Sequence, residues 1–492
     1  MATGNEKRQG DSSHKSPGQS GGTTVKIEPI APSLRFGRGR PDIPEILHQG
    51  DSDAAMVAEL KPPLTDQEAL AEAYRCLECG GPEVPAPCQT ACPADIDVAG
   101  FIAAISRGEL ERAAAVIFAS NPLGGTCARV CPTEVLCEGA CVLQALHQRP
   151  VDIGRLQRHA TDWALAEPVP HPQARRTGAR RVAIVGAGPA GLACAAGLAS
   201  AGYRVTVYDE RPEVGGLVRY AIAPYRIQAE PLPREMQRLE AMGVEFCLGS
   251  EFIPPEKLAA MGREVDAVFL AVGLGGDTPS SCPGSDLDGV YESLPFIEAI
   301  KLGKPPRLGQ RVAVIGGGNT AIDVAREAVR LGASEVTLIY RRTESEMPAY
   351  QHEVAETKDE GVRFLWLMEP RRFLGAGHVE AVECQVMRLG DQDASGRRRP
   401  EPVPGELRTV PVDSVIQAIG QTPRVALLGE IPGLGLHRGR IVVDRESGRT
   451  GNPYYFAGGD AVNGGGTVVE AVRMGKAAAV GIDRALSGGA GR

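Results

Sequence analysis

Two stretches of this chain, 130 residues apart, repeat one strand, turn, helix, strand pattern, and that repeat restricts the possible folds more than any other feature. "RRVAIVGAGPAGLACAAGLASAGYRVTVYDE" reads as an apolar strand over 182–185, a glycine turn over 186–191, an alanine-rich helix over 190–201 and a second strand over 204–208. "QRVAVIGGGNTAIDVAREAVRLGASEVTLIYRR" begins the same succession again at Gln310. Short apolar strands that alternate with helices build parallel sheets. Two such units predict two dinucleotide sites on two related Rossmann-like domains, produced by internal duplication.

The neighbours of the glycines distinguish the two sites. In "GAGPAG", Gly186 permits the tight turn, Gly188 lets a pyrophosphate approach the backbone and Gly191 lets the helix pack on the strand, with Pro189 and Ala190 opening that helix. The free N–H groups of the helix start suit phosphate oxygens. Asp209 closes the next strand 18 residues after Gly191, where a carboxylate accepts from both ribose hydroxyls and excludes a 2′-phosphate. The second turn carries Gly316 and Gly318, then Asn319 and Thr320, with Ala321 in the third glycine's place. Its strand ends in Arg341 and Arg342, a cationic pair suited to the 2′-phosphate of NADP. Glu344 and Glu346 follow on a loop and oppose that preference. Screening on an exposed loop weakens them, so NADPH is expected over NADH.

Further segments fit a flavin. "EVGGLVRYAIAPYRI" (213–227) offers Gly216, Leu217 and Arg226 beside an FAD, and "YYFAGGDAVNGGGTVVEAV" offers Gly459, Asp460 and a helix start near Thr467. "AVFLAVG" (267–273) and "SVIQAIG" (414–420) are apolar strands with glycine-closed ends; Ala418, Ile419 and Gly420 of the second are assigned to the NADP site.

The remaining question is where electrons go. Eight of the 12 cysteines lie between Cys76 and Cys141, while Cys194, Cys247, Cys282 and Cys384 stand singly. No local redox pair is available to a flavin. The cluster reads C-x2-C-x8-C-x3-C-P from Cys76 and C-x3-C-P-x4-C-x3-C from Cys127, with C-x3-C-P occurring twice. Eight thiolates fill two [4Fe-4S] clusters. Zinc is the competing reading of C-x2-C, but zinc has no redox chemistry and leaves a flavin's electrons stranded. The first residues hold no apolar run of signal-peptide type and no segment reaches 18 apolar residues. A cytoplasmic location follows as the expectation, in which clustered cysteines are metal ligands. Net charge is −8 with no basic stripe, which argues against nucleic acid and anionic membrane as partners.

From about residue 60 onward the chain resembles the family formed by the small, NADPH-oxidising subunit of glutamate synthase and the electron-input portion of dihydropyrimidine dehydrogenase. The residues that carry this are "EALAEAYRCLEC", "PCQTACP", "NPLGGTCARVCPTEVLCEGAC", "VDIGRLQ" and the two nucleotide units. The resemblance implies an α-helical double [4Fe-4S] domain followed by α/β two-dinucleotide-binding (Rossmann-like) flavoprotein domains, with the NAD(P) domain inserted in the FAD domain. The expected spans are a disordered tail at 1–25, an N-terminal extension and iron–sulfur domain at 26–170, FAD domain at 178–304 and 411–492, and NAD(P) domain at 305–410. It further implies Cys76, Cys79, Cys88 and Cys141 as ligands of one cluster, and Cys92, Cys131, Cys137 and Gln157 as ligands of the other, with Cys127 left over. Glutamate synthase relatives tend to carry glutamate at the fourth position of the second set, so "IGRLQ" leans towards the dihydropyrimidine dehydrogenase branch. The insertion "GGPEVPAP" between Cys79 and Cys88 departs from the family pattern and is expected to loop outward.

The resulting expectation is a subunit that takes hydride from NADPH (or NADH) onto FAD and passes single electrons through the clusters. The acceptor is a catalytic partner subunit carrying a second flavin, in a hetero-oligomer, with uracil or thymine as terminal substrate. No side chain of this chain is required as a catalytic acid or base. The alternatives are the glutamate synthase small subunit or another complex's input subunit, and, in a different class, a non-catalytic flavin-binding assembly module with structural zinc.

Overall fold

The computed structural model describes residues 59–81, 83–166, 180–249, 254–393 and 396–487. The expected tail at 1–25 and most of the extension after it lie outside the described residues.

Residues 59–166 are helical. The longest helix, Ile153–Ala166, buries Ile153, Leu156, Ala160 and Ala164 at helical spacing against Gly124–Val130 and Val98–Ser106. The helix Asp66–Ala73 starts at a capping box in which Thr65 and Glu68 satisfy one another's backbone N–H groups. Cysteines fall in the short helices and turns between the longer helices.

The first sheet is five-stranded and parallel. Its strands are β1 (Arg181–Val185), β2 (Arg204–Tyr208), β3 (Glu245–Cys247), β4 (Ala267–Leu270) and, from the end of the chain, Tyr455–Ala457, which pairs with β4. Helix Pro189–Ser200 crosses from β1 to β2 as its sequence predicts. Gly475 lets the last helix of the chain approach it closely: a Cβ on Gly475 would lie 2.1 Å from the Ala190 carbonyl oxygen.

The second sheet holds β5 (Val290–Glu292), β6 (Arg311–Gly316), β7 (Glu335–Tyr340) and β8 (Arg363–Trp366), with Ser414–Ala418 between β5 and β6. This sheet reaches beyond residues 305–410 at both ends, because two of its strands come from 290–292 and 414–418. A three-stranded antiparallel sheet, β9 (Met368–Leu374), β10 (Ala381–Gln392) and β11 (Arg398–Pro411), stands beside it.

Buried charges seat the helical region on the first sheet. Glu235, in helix Leu232–Ala241, is fully buried; one carboxylate oxygen accepts from the backbone N–H groups of Gly125 (2.8 Å) and Thr126 (3.1 Å), the other from the Thr126 hydroxyl (2.5 Å). Burial pushes its pKa up to about 7 against these stabilising donors. A carboxylic acid with a raised folded pKa binds its proton more tightly folded than unfolded. Its penalty is therefore complete above pH 7 and disappears as the pH falls towards 4.5. Glu235→Gln is expected to flatten the pH dependence of the melting temperature between these limits. Glu235→Ala leaves three donors without an acceptor and should cost about 3 kcal/mol or more. Thermal melts of the two variants across pH check both outcomes.

Candidate functional site

The carboxyl ends of the first sheet open on a cavity of about 470 Å³. Of the residues expected at the FAD, Gly186, Gly188, Pro189, Ala190, Asp209, Gly216, Leu217, Gly459, Asp460 and Thr467 line it. Gly191 does not; a Cβ there would lie 1.9 Å from the Gly186 carbonyl oxygen, so its work is packing. A Cβ on Gly188 would meet nothing nearer than the Gly216 Cα at 4.0 Å, which makes the turn an open cradle over the helix start. Asp209 accepts from the Ala187 N–H (2.7 Å) and the Arg211 N–H (2.8 Å), and burial raises its pKa. Asp460 is pushed up to about 6 by burial. The 20-residue helix Val468–Ser487 begins beside it, with Thr467 and Glu470 forming a reciprocal cap. The Glu470 carboxylate thus answers part of the positive end that was expected to face the flavin.

Arg226 is placed elsewhere than expected. It lies on the second, larger cavity and is held there by Asp323 (2.7 Å) and, through two bonds, by Glu353 (2.7 and 2.8 Å).

That second cavity, of about 1150 Å³, is lined by every residue expected at the NADP: Gly316, Gly318, Asn319, Thr320, Arg341, Arg342, Ala418, Ile419 and Gly420. Gly318 is extended, and a Cβ added to it would meet nothing within 4 Å. A function for Gly317 escaped the sequence reading: its missing side chain lets the Tyr340 ring lie on the turn, 2.4 Å from where a Cβ would be. The two arginines differ. Arg341 has a half-exposed side chain and pairs with Glu369 at 3.1 Å, whereas Arg342 is buried, bonded to Asp393 (3.0 Å) and to the Arg398 carbonyl (2.8 Å). Glu344 and Glu346 line neither cavity. Glu344 is paired with Lys358 at 2.6 Å, and the Glu346 carboxylate is turned back onto Thr343, whose hydrogen bonds lower its pKa.

The cavities adjoin: Leu217, Ala221, Ile222, Asp460 and Thr467 belong to both walls. Val130 and Pro132, on either side of Cys131, complete the wall of the larger one.

The cysteines fall into two electrostatic groups. Burial raises the Cys76 and Cys88 thiols, Cys88 to about 11, with Cys79 and Cys141 adding to the first and Cys76 and Cys141 to the second. Burial likewise raises Cys92 and Cys137, with Cys131 adding to both. Cys131 is raised first by a hydrogen bond with the Cys127 thiol and then by burial. The grouping brings together Cys76, Cys79, Cys88 and Cys141, and separately Cys92, Cys131 and Cys137, with Cys127 against the second set. Thiols that repel one another in a buried site suit a polynuclear cation that neutralises them. A single zinc ion holds its sulfurs at about 2.3 Å, and among the described residues no three His, Cys, Asp or Glu side chains converge to hold one ion. Gln157 is buried on helix Ile153–Ala166, with its amide nitrogen donating to the Gly124 carbonyl at 2.7 Å. Two lysines missed in the sequence hold the second set: Lys61 donates to the Cys131 carbonyl (2.9 Å) and the Thr133 hydroxyl (3.0 Å), and Lys476 to the carbonyls of Ala94 and Ser120 (2.7 and 2.6 Å). Their signal is absent from local sequence because both reach partners at least 70 residues away.

Comparison with known proteins agrees with this geometry. Residues 180–475 match the family described as pyridine nucleotide-disulphide oxidoreductase, and residues 53–169 the family described as dihydropyrimidine dehydrogenase domain II, 4Fe-4S cluster. The chain is 38% identical to the glutamate synthase (NADPH) small chain of Halomonas elongata, over 87% of this chain and 93% of that one. It is also 38% identical to the NADPH-Fe(3+) oxidoreductase subunit beta of Geobacter sulfurreducens, over 82% of this chain and 64% of that longer protein. Among solved structures, FprA of Mycobacterium tuberculosis in complex with NADPH superimposes with a TM-score of 0.54 at 21% identity, over 63% of this chain and 85% of that one, a likeness of fold. Among the described residues no helix is long and apolar enough to cross a membrane.

Gly188→Val and Gly318→Val should each fold, since both positions have extended backbone and open space beside them. The first is expected to yield protein without FAD, the second protein that keeps FAD and no longer binds NADPH. Flavin content and nucleotide titration of the two purified variants check this separation.

Proposed function

The chain belongs to the glutamate synthase small-subunit family of pyridine nucleotide-disulphide oxidoreductases, and from that premise we propose that it is the electron-input subunit of a larger complex, feeding a catalytic partner through two [4Fe-4S] clusters. It is an NADPH-dependent FAD and iron–sulfur oxidoreductase subunit. The observation that carries the proposal is the shared wall of the two nucleotide cavities, with the Cys131 loop closing the larger one.

Bound FAD would supply two-electron acceptance from a nicotinamide and one-electron delivery to clusters. The residues of this chain do the rest by position. Gly186 and Gly188 admit the flavin nucleotide's pyrophosphate to the helix start, and Gly316 and Gly318 do the same for NADPH. Leu217, Ala221 and Ile222 line the passage between the sites with apolar side chains and exclude water from it. Lys61 and Lys476 hold the backbone around the second cysteine set.

Between the two branches of the resemblance, the support runs to glutamate synthase. The relatives at 37 and 38% identity that span 93% of their own length are glutamate synthase small chains, and dihydropyrimidine dehydrogenase enters only through the description of the cluster domain. The lean drawn from Gln157 towards pyrimidine reduction is corrected accordingly. A transferable electron supply for more than one terminal reaction also fits the iron-reducing relative. The assignment of Gln157 as fourth ligand of the second cluster, with Cys92, Cys131 and Cys137, stays part of the proposal.

Anaerobically purified protein should hold about eight iron and eight acid-labile sulfide per chain. Stoichiometric zinc without sulfide would overturn the cluster reading. Gln157→Ala should alter the low-temperature EPR signal of one cluster and leave the other as it was; no change in either removes Gln157 from the ligand set. Co-purification under native conditions should recover a large subunit of amidotransferase type, whereas a pyrimidine-reducing subunit would restore the other branch.

A further inference from the structure

The sequence places the 2′-phosphate of NADP on Arg341 and Arg342, yet the structure has already engaged Arg342. Its guanidinium is 8% exposed and holds the end of the hairpin between β10 and β11, through Asp393 and the Arg398 carbonyl. Asp393 also accepts from the Arg397 N–H (3.3 Å), and its own N–H donates to the Arg397 carbonyl (2.7 Å). The buried arginine therefore fixes where Arg397 stands, and Arg397 lines the NADP cavity.

A third cation reaches the same wall from the neighbouring strand. In the pairing of β9 with β10, Glu383 faces Arg372 and Cys384 faces Pro370, so Arg371 is the extra residue of a β-bulge. A bulge redirects a side chain that regular alternation would send elsewhere. Arg371 lines the cavity, together with Glu369, whose carboxylate pairs with Arg341 at 3.1 Å. Arg341, Arg371 and Arg397 thus all line the cavity that the end of β7 reaches, where a Rossmann-type site meets the adenosine ribose.

We propose that Arg341, Arg371 and Arg397 form the phosphomonoester site that selects NADP over NAD, and that Arg342 is a positioning residue that anchors the hairpin carrying Arg397. The small antiparallel sheet beside the nucleotide domain is then a specificity device. Arginines suit the task because a planar guanidinium binds a phosphate through two parallel bonds. The proposal rests on reading the larger cavity as the nicotinamide nucleotide's.

Calorimetric titration of the holoprotein with NADP⁺, NAD⁺ and 2′,5′-ADP tests it. Arg371→Ala and Arg397→Ala should each weaken NADP⁺ and 2′,5′-ADP about tenfold or more, as expected for loss of a charge-assisted bond. NAD⁺ affinity should stay within about twofold. Arg342→Ala should weaken NADP⁺ while also raising hydrogen exchange at the amides of 389–393 and 396–399, the signature of a released hairpin. NADP⁺ affinities that hold within about twofold in both Arg371→Ala and Arg397→Ala would overturn the assignment. Failure of the underlying reading would look different: Gly318→Val would bind both nucleotides as the unaltered protein does.

Discussion

The Arg226 guanidinium bridges Asp323 and Glu353 in the interior, and the relation between the two nucleotide sheets depends on this pairing. Arg226 belongs to the segment that follows the flavin-side glycines, whereas Asp323 and Glu353 sit on helices of the nicotinamide domain. Tyr225 beside it is fully buried, donates to Asp323 at 2.6 Å, and is faced by the guanidinium groups of Arg226, Arg326 and Arg330. Removing one member of such a set leaves a buried charge unpaired, which costs several kcal/mol. The set therefore holds one arrangement of the two domains, the arrangement in which their cavities share a wall.

The same segment is gripped from two further sides. Lys301 donates to the carbonyls of Ile222 (2.8 Å) and Ile227 (3.0 Å), and burial draws its pKa down to about 8. Glu59 accepts from the Gln228 N–H at 2.8 Å and pairs with Arg158 at 2.6 Å on the helix that bears Gln157. Cysteine sets, flavin cradle and nicotinamide cradle are thus fixed around residues 217–228. Lys301 and Lys476 play one physical part at two seams, each satisfying carbonyl oxygens that would otherwise lose water on contact between segments.

What the sequence made legible was local. The strand, glycine turn and helix of each nucleotide unit are written in contiguous residues, and so are the cysteine spacings, because turn geometry and periodicity act over a few positions. The pairing of Arg226 and Arg342 was not legible for the opposite reason. Both look like free cations beside a phosphate site, and only the approach of Asp323, Glu353 and Asp393 from distant segments shows them neutralised in the interior. Glu344 and Glu346 looked adverse to NADPH on linear distance alone, yet the 3-10 turn Glu344–Glu346 keeps both off the cavity wall. The strands that enlarge the second sheet, Val290–Glu292 and Ser414–Ala418, lie outside the repeated unit and carry no signal of which sheet receives them.

On the proposed function, electrons pass from NADPH to the cysteine-held clusters within this chain alone. Anaerobic titration of the isolated holoprotein with NADPH, followed by flavin absorbance and low-temperature EPR, checks this. Uptake beyond one NADPH equivalent per chain is expected, with the cluster signal developing as flavin absorbance is lost. Uptake that ends at one equivalent, with flavin reduced and the clusters still oxidised, would contradict it.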